Sequence, residues 1–312
     1  MLTLIITLNK SGMLQDIPNE RSLHTEPIPR IGGVAIMAGI LSGWILLVKF
    51  WAWWIVLPVL GLFGLSLVDD VHNLPPRVRL LGHFAAAMIV LWGAGVAWQW
   101  LLPVLLFIVW MTNLYNFMDG SDGLAGGMAL FGFSFYGVAG LFSGNEAFAI
   151  MNFTIGAAAL GFLYHNFHPA RVFMGDAGSI PLGFLAAAFG VWGWKLGYWP
   201  FWFPVLVFSP FVTDATFTLI KRVRRRENIA HAHRNHYYQR LVQMGLSHRD
   251  TAIAEYILMF LAGSSAIWGM GLDTLGQGGL LALWCAIYLG LATSVDRRWK
   301  QHEAIKNNGA NV

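Results

Sequence analysis

The sequence predicts an all-α fold: a polytopic integral membrane protein of about ten to eleven spans, with its chemistry on the cytoplasmic face. Three observations carry that expectation. Hydrophobic residues are 56% of the 312 and charged residues 12%, against about 25% charged in a typical soluble domain. Apolar runs near the roughly 20 residues needed to cross a bilayer succeed one another along the chain. Lysine and arginine gather in alternate connections between those runs, the asymmetry that orients membrane proteins.

The runs lie at 31–50, 52–68, 79–94, 98–115, 124–142, 146–165, 177–194, 199–220, 252–272 and 275–294. Residues 1–8 are apolar but too short to cross alone; they read as the end of an eleventh span or as an interfacial helix. No small-residue cleavage site follows them, which excludes a cleaved signal peptide. The chain is expected to form one transmembrane domain over 1–312. Its cytoplasmic loops fall at 9–30, 69–79, 113–123, 166–176 and 221–251, with a cytoplasmic tail at 296–312. In that orientation all of the twenty Lys and Arg but Lys49 and Lys195 face the cytoplasm. Asp69, Asp70, Asp119, Asp122 and Asp176 fall on the same side. Topology accounts for the net charge of +4, so no nucleic-acid partner is inferred. Cys285 is the single cysteine and forms no intrachain disulfide. The fifteen Trp suit interfacial belts.

Polar chemistry begins in residues 16–33. Pro18, Pro27 and Pro29 forbid a regular helix there. The loop exposes Arg21, His24 and Arg30, either as a positive-inside anchor or toward an anion. Val68-Asp69-Asp70-Val71 follows the second run. Adjacent carboxylates repel, the more so on leaving water; a divalent cation, or Arg77 and Arg79, would relieve them.

Asn113–Ala125 is the stretch the chain is organised around. Asn113, Asn116 and Asp119 are three apart and share a face while the backbone stays helical. Gly120 and Gly123 then break the helix and let backbone approach a ligand. Such polar groups are costly in an apolar chain unless something uses them.

Gly175-Asp176-Ala177-Gly178-Ser179 stands just before another apolar run. A Gly-rich turn feeding a helix N-terminus offers N–H groups and a favourable dipole to an anion. Asp176 there suits a cation bridging to that anion, because magnesium keeps few protein ligands and takes the rest from phosphate and water. Capping of the helix by Asp176 or Ser179 is the plainer alternative. Asp214 lies about two turns inside the 199–220 run, where it needs a partner; Lys221 and Arg222 offer a structural ion pair. The long loop over 221–251 adds an Arg run and His231, His233, Arg234 and His236, donors suited to phosphate oxygens. Their spacing matches no zinc pattern.

Carboxylates, a divalent cation and cationic donors at a bilayer surface are what phosphoryl transfer to a lipid phosphate requires. Five stretches then carry a resemblance: Asp16–Gly33 (DIPNERSLHTEPIPRIGG), Val68-Asp69-Asp70, Asn113–Ala125 (NLYNFMDGSDGLA), Asn166–Ser179 (NFHPARVFMGDAGS) and the His/Arg loop. In that order, over at least residues 16–241, they resemble the polyprenyl-phosphate N-acetylhexosamine-1-phosphate transferases. These form glycosyltransferase family 4, which includes phospho-N-acetylmuramoyl-pentapeptide transferase. The PNERSLH…PRIGG loop looks more like the branch that initiates O-antigen and teichoic acid. It is particularly similar to the enzyme that starts B-band O-antigen with a 6-deoxy-N-acetylhexosamine.

The resemblance implies roles. Asp69, Asp70 and Asp176 match the catalytic acids, with Asp176 and Asp70 at magnesium, or manganese in its place. Asn113, Asn116, Asp119 and Asp122 match the central nucleotide-sugar motif. Phe173 matches the aromatic that stacks on uracil, and Asn166 a polar position near it. Arg234 and His236 match the start of an Arg-x-His-x-His-His pattern whose last two His are replaced here by Tyr238 and Gln239. The implied partners are a UDP-N-acetylhexosamine, undecaprenyl phosphate and membrane lipid, with a homodimer left open, in a bacterial cytoplasmic membrane. GlcNAc, GalNAc, FucNAc and QuiNAc all fit as the sugar.

Two rivals fit the residues less well. A transporter would place its charges at the bilayer midplane and show inverted repeats. A CDP-alcohol phosphotransferase would carry Asp-Gly-x-x-Ala-Arg, and Asp119-Gly-Ser-Asp-Gly-Leu lacks the Ala-Arg.

Overall fold

A computed structural model describes residues 15–16, 27–48, 52–228 and 234–309. Arg21, His24, Lys49, His231, His233 and the apolar start at 1–8 lie outside the described residues. The helices are α1 (Gly32–Leu47), α2 (Trp53–His72), α3 (Pro76–Gly93), α4 (Leu101–Phe117), α5 (Leu124–Phe142), α6 (Glu146–Asn166) and α7 (Asp176–Lys195). After them come α8 (Trp202–Val207), α9 (Ser209–Arg224), α10 (Tyr237–Gln243), α11 (His248–Gly269) and α12 (Thr274–Gly309). β1 (Gln15–Asp16) and β2 (Ile28–Pro29) pair antiparallel, with Gln15 opposite Pro29. The protein is therefore all-α and polytopic, as its composition requires.

Seven described helices are long and apolar enough to cross a membrane: α2, the stretch Trp98–Phe117 that contains α4, and α5, α6, α7, α11 and α12. The other predicted runs are also helical but depart from that pattern. α1 is apolar with only 16 residues. α3 carries Arg77, Arg79 and His83 in its first half. The run at 199–220 is broken at Phe208 into α8 and α9. Pro210 lacks an N–H and its ring crowds the carbonyl four residues back. The Ser209 hydroxyl donates to that Leu206 carbonyl at 2.6 Å, so the break leaves it satisfied.

α7 is the centre of the bundle, with 89% of its apolar window buried. α1, α2, α4, α5 and α8 pack on it. Its glycines and alanines let neighbours come close, which is how helices associate where lipid supplies no hydrophobic drive. The tightest crossing is at its first turn: a Cβ on Gly33 would stand 2.3 Å from the Gly178 nitrogen. The start of α1 is thus pinned against the start of α7. The pinning is reinforced by Gly33 N–H to the Met174 carbonyl (2.8 Å) and Gly32 N–H to the Phe173 carbonyl (2.9 Å).

The two ends of the bundle differ. Trp53 packs on Trp92, Trp54 on Trp192 and Trp100 on Trp194, all edge to face at 5.2–5.4 Å between centroids. This aromatic belt caps the end that also holds Lys195. The polar turns at 69–75, 118–123 and 167–175 gather at the other end.

Candidate active site

At that polar end the start of α7 meets the ends of α2 and α4. Gly175 precedes the helix with φ of 71°, a left-handed turn that glycine adopts without a Cβ penalty. The turn sets Asp176 at the first helical position, where the dipole favours a carboxylate. Its Oδ1 accepts from the Asn116 amide at 2.8 Å, and its Oδ2 from Arg79 Nη1 at 3.4 Å. The same Asn116 nitrogen donates to Ser179 Oγ at 3.0 Å. Neither Asp176 nor Ser179 caps the helix: the Ser179 hydroxyl turns back to the Gly175 carbonyl at 3.1 Å.

The acidic pair divides its work. Asp69 is buried; its Oδ1 accepts from the Leu74 N–H at 2.7 Å and its Oδ2 from Arg79 at 3.1 Å. Arg79 therefore clamps Asp69 to Asp176, a link that the ten-residue spacing in sequence does not reveal. Asp70 reaches across to α7 and accepts from the Ala177 N–H at 3.3 Å. The helix start that sequence offered to an external anion is thus already partly occupied by Asp70.

Asp119 lies just past α4, outside the helix that would have kept it on the face of Asn113 and Asn116. The carboxyl is enclosed by protein. Burial first, then the charges of Asp176 and Asp70, push it well above the usual carboxylate range, and Arg30 opposes them. Arg30 arrives from the strand segment, paired to Asp16 at 3.1 Å. Asp69, Asp70, Asp119 and Asp176 so converge from three stretches of chain, with Arg79 and Arg30 as the nearby cations.

The remaining expected residues sit farther out. Asn113 is one turn below Asn116; its amide donates to the Val109 carbonyl at 2.7 Å and meets His83 Nδ1 at 3.1 Å. Asp122 turns away from the acids and pairs with His168 at 2.7 Å and the Ala170 N–H at 3.1 Å. Asn166 is buried and spent on backbone: it accepts from the Gly123 N–H at 2.9 Å and donates to the Val172 carbonyl at 2.8 Å. It locks the 119–123 turn to the 167–175 turn. Phe173 is half-buried beside β2, its N–H bonded to the Pro29 carbonyl at 2.8 Å.

Arg234 and His236 precede α10. His236 is buried, with Nδ1 3.0 Å from Asp214 Oδ1. Asp214 forms no ion pair with Lys221 or Arg222, contrary to the sequence expectation. Its two oxygens accept from the Tyr237 and Tyr238 N–H groups, each at 3.0 Å. A buried carboxylate at the start of α10 is better satisfied by N–H groups already desolvated there than by long side chains one or two turns away. Arg222 pairs instead with Glu227 at 2.9 Å, and Lys221 with Asp296. Sequence reading also missed Tyr238, whose hydroxyl stands over Gly120 and 3.4 Å from the Phe117 carbonyl. Ser121, bonded to His248 at 2.8 Å, was missed too. These contacts bring α10 and the start of α11 against the acidic turn.

Among the described residues no three His, Cys, Asp or Glu side chains form a ready metal cage. The donors that do converge are hard carboxylate oxygens, in excess of the cations beside them. Such a set suits magnesium, which binds through one or two carboxylates and completes its shell from phosphate and water.

Comparison with known proteins gives the family. Residues 52–193 match the model of glycosyl transferase family 4. A probable undecaprenyl-phosphate N-acetylglucosaminyl 1-phosphate transferase of Bacillus subtilis is 30% identical over 272 residues, covering 81% of this chain and 76% of that protein. A decaprenyl-phosphate N-acetylglucosaminephosphotransferase of Mycobacterium leprae is 28% identical, covering 89% and 82%. A phospho-N-acetylmuramoyl-pentapeptide-transferase of Symbiobacterium thermophilum is 39% identical over 140 residues, 38% of this chain and 42% of that protein.

Proposed function

The chain belongs to glycosyl transferase family 4, and on that premise we propose that it moves an N-acetylhexosamine-1-phosphate from a UDP-sugar to undecaprenyl phosphate, releasing UMP. The observation that carries the reading is the convergence of Asp69, Asp70, Asp119 and Asp176 on one end of the bundle. Carboxylates so crowded repel one another until a cation and its phosphate ligands arrive.

In this reading the undecaprenyl phosphate oxygen attacks the sugar-linked phosphorus of the nucleotide. The bond from that phosphorus to the UMP oxygen breaks, and UMP leaves. The attacking phosphate is already ionised at neutral pH, so no side chain has to remove a proton. Magnesium, held by Asp176 and Asp70, would supply neutralisation of the diphosphate charge. Asn116 fixes the Asp176 rotamer, and Arg79 holds Asp69 and Asp176 in register. Asp119, its carboxyl raised by burial, stands beside Asp176 and Asp70, while Phe173 offers a face to the uracil. Arg234 would supply a cation to the diphosphate, and His236 orders the loop through Asp214. The side that holds the acids also holds the basic loops, so it faces the cytoplasm by the positive-inside rule. The product is the first lipid-linked sugar of a cell-envelope polysaccharide, O-antigen in the branch that the 18–33 loop most resembles.

Purified protein in detergent, given undecaprenyl phosphate, magnesium and a panel of UDP-N-acetylhexosamines, should release UMP with one or two of them. No UMP with any sugar, from folded protein, would remove the proposal. Activity without undecaprenyl phosphate would replace transfer by hydrolysis.

A further inference from the structure

We propose that the side of α10 facing away from the acids, together with α9 and α12, holds an anionic phospholipid, phosphate at the top and acyl chain below. The upper part is a pocket of about 360 Å³. Lys221, Arg224 and Arg225 line it from the end of α9, Arg240 from α10 and Lys300 from α12, against Asp296 and Glu303. Five cations face two acids in the lining, and even with Glu227 3.8 Å from Arg225 the pocket is net basic.

Arg240 supplies the second observation. It is 4% exposed, and its Nη1 is paired with Asp296 at 3.0 Å, yet its buried Nε has no hydrogen-bond partner among the described residues. A desolvated guanidinium nitrogen without an acceptor costs free energy, which a phosphate oxygen would offset. Its guanidinium also lies 5.6 Å from the Trp299 ring, the residue type that favours the headgroup level.

Directly below is an apolar cavity of about 250 Å³. Two helices contribute to both spaces one turn apart, Phe217 below Lys221 on α9 and Ala292 below Asp296 on α12, and α10 borders both, with Tyr237 and Leu241 on the cavity and Arg240 on the pocket. The Tyr237 ring forms the boundary, 4.7 Å from Lys221 Nζ and 5.4 Å from the Arg240 guanidinium. Asp214 and Glu255 are the acids of the lower cavity. The Asp214 carboxylate repels an anion there, so the headgroup belongs at the basic end. A basic mouth over an apolar shaft matches a phosphate on a hydrocarbon chain, and neither a nucleotide nor a soluble anion would use the shaft. This site faces away from the acidic cluster and does not rest on the proposed reaction.

The test is native mass spectrometry of the full chain purified from nanodiscs of phosphatidylglycerol or of phosphatidylcholine. The wild type should retain one phosphatidylglycerol and no phosphatidylcholine. Arg224→Ala with Lys300→Ala removes two exposed cations and should weaken retention about fivefold per charge, with helix content unchanged. Ala292→Phe should block the shaft and lower retention of long-chain lipid while leaving inorganic phosphate binding intact. Equal retention of both lipids, retention unaffected by the double variant, or displacement by equimolar undecaprenyl phosphate would each overturn the proposal. Displacement by millimolar inorganic phosphate alone would do so as well, since the shaft would then be idle.

Discussion

Asp176 and Asp214 are both carboxylates carried by helices of the bundle, and the protein treats them oppositely. Asp214 is fully answered. Two backbone N–H groups, His236 and the Thr218 hydroxyl surround it. Asp176 shares one amide and one distant guanidinium with other acceptors, and Asp70, Asp69 and Asp119 crowd it. The difference gives a criterion for telling a structural acid from one left for a ligand, the role proposed for Asp176: whether its charge is balanced in the protein alone.

The sharpest way to break this comparison is to neutralise each acid in turn. Asp176→Asn should lower transfer about a thousandfold or more, while the melting midpoint holds or rises because like charge is relieved. Asp214→Ala should do the reverse. It leaves two buried N–H groups without acceptors and should cost about 3 kcal/mol of stability, with the folded fraction still turning over. Thermal melts beside UMP release decide it; loss of stability in both variants would erase the distinction.

Arg79→Ala comes next in size. Arg79 orients the acids without itself facing substrate, so its loss should cost about ten- to hundredfold. The loss should appear mainly as a higher magnesium requirement, and Arg79→Lys should recover part of it. A uniform fall in kcat with unchanged magnesium dependence would give Arg79 another role.

The smallest expected effect is on pH. Asp119 has its carboxyl raised by burial and by its neighbours, so its stabilising contribution is present while protonated and lost as pH rises through the raised value. Without divalent cation, the wild type should lose thermal stability on alkalinisation relative to Asp119→Asn. With magnesium the trend should flatten, and one displaced proton should raise apparent magnesium affinity by up to about tenfold per pH unit. A pH trend indifferent to magnesium would detach Asp119 from the cation.

Much of this was legible in the residues themselves. The helices follow from apolar runs, and the shared side of the acids follows from counting runs between basic loops. The misplaced expectations have common physical causes. The break at Phe208 hides in an unbroken hydrophobic run because only Pro210 marks it. Asp214 was assigned to cations on its own helix because sequence shows neighbours along one element, while the N–H groups that answer it come from α10. Asn166 and Asp122 carry the residue types of a ligand site, yet they hold the 119–123 and 167–175 turns together.

By itself the sequence determined a bundle of membrane helices and which turns would be rich in carboxylates, because hydrophobicity and charge act through composition and order alone. Only the tertiary structure decided that Arg79 spans Asp69 and Asp176, that Asp70 occupies the start of α7, and that Asp214 anchors a helix. Those outcomes depend on distances of a few ångströms between stretches far apart in the chain, which only the packing of the helices sets.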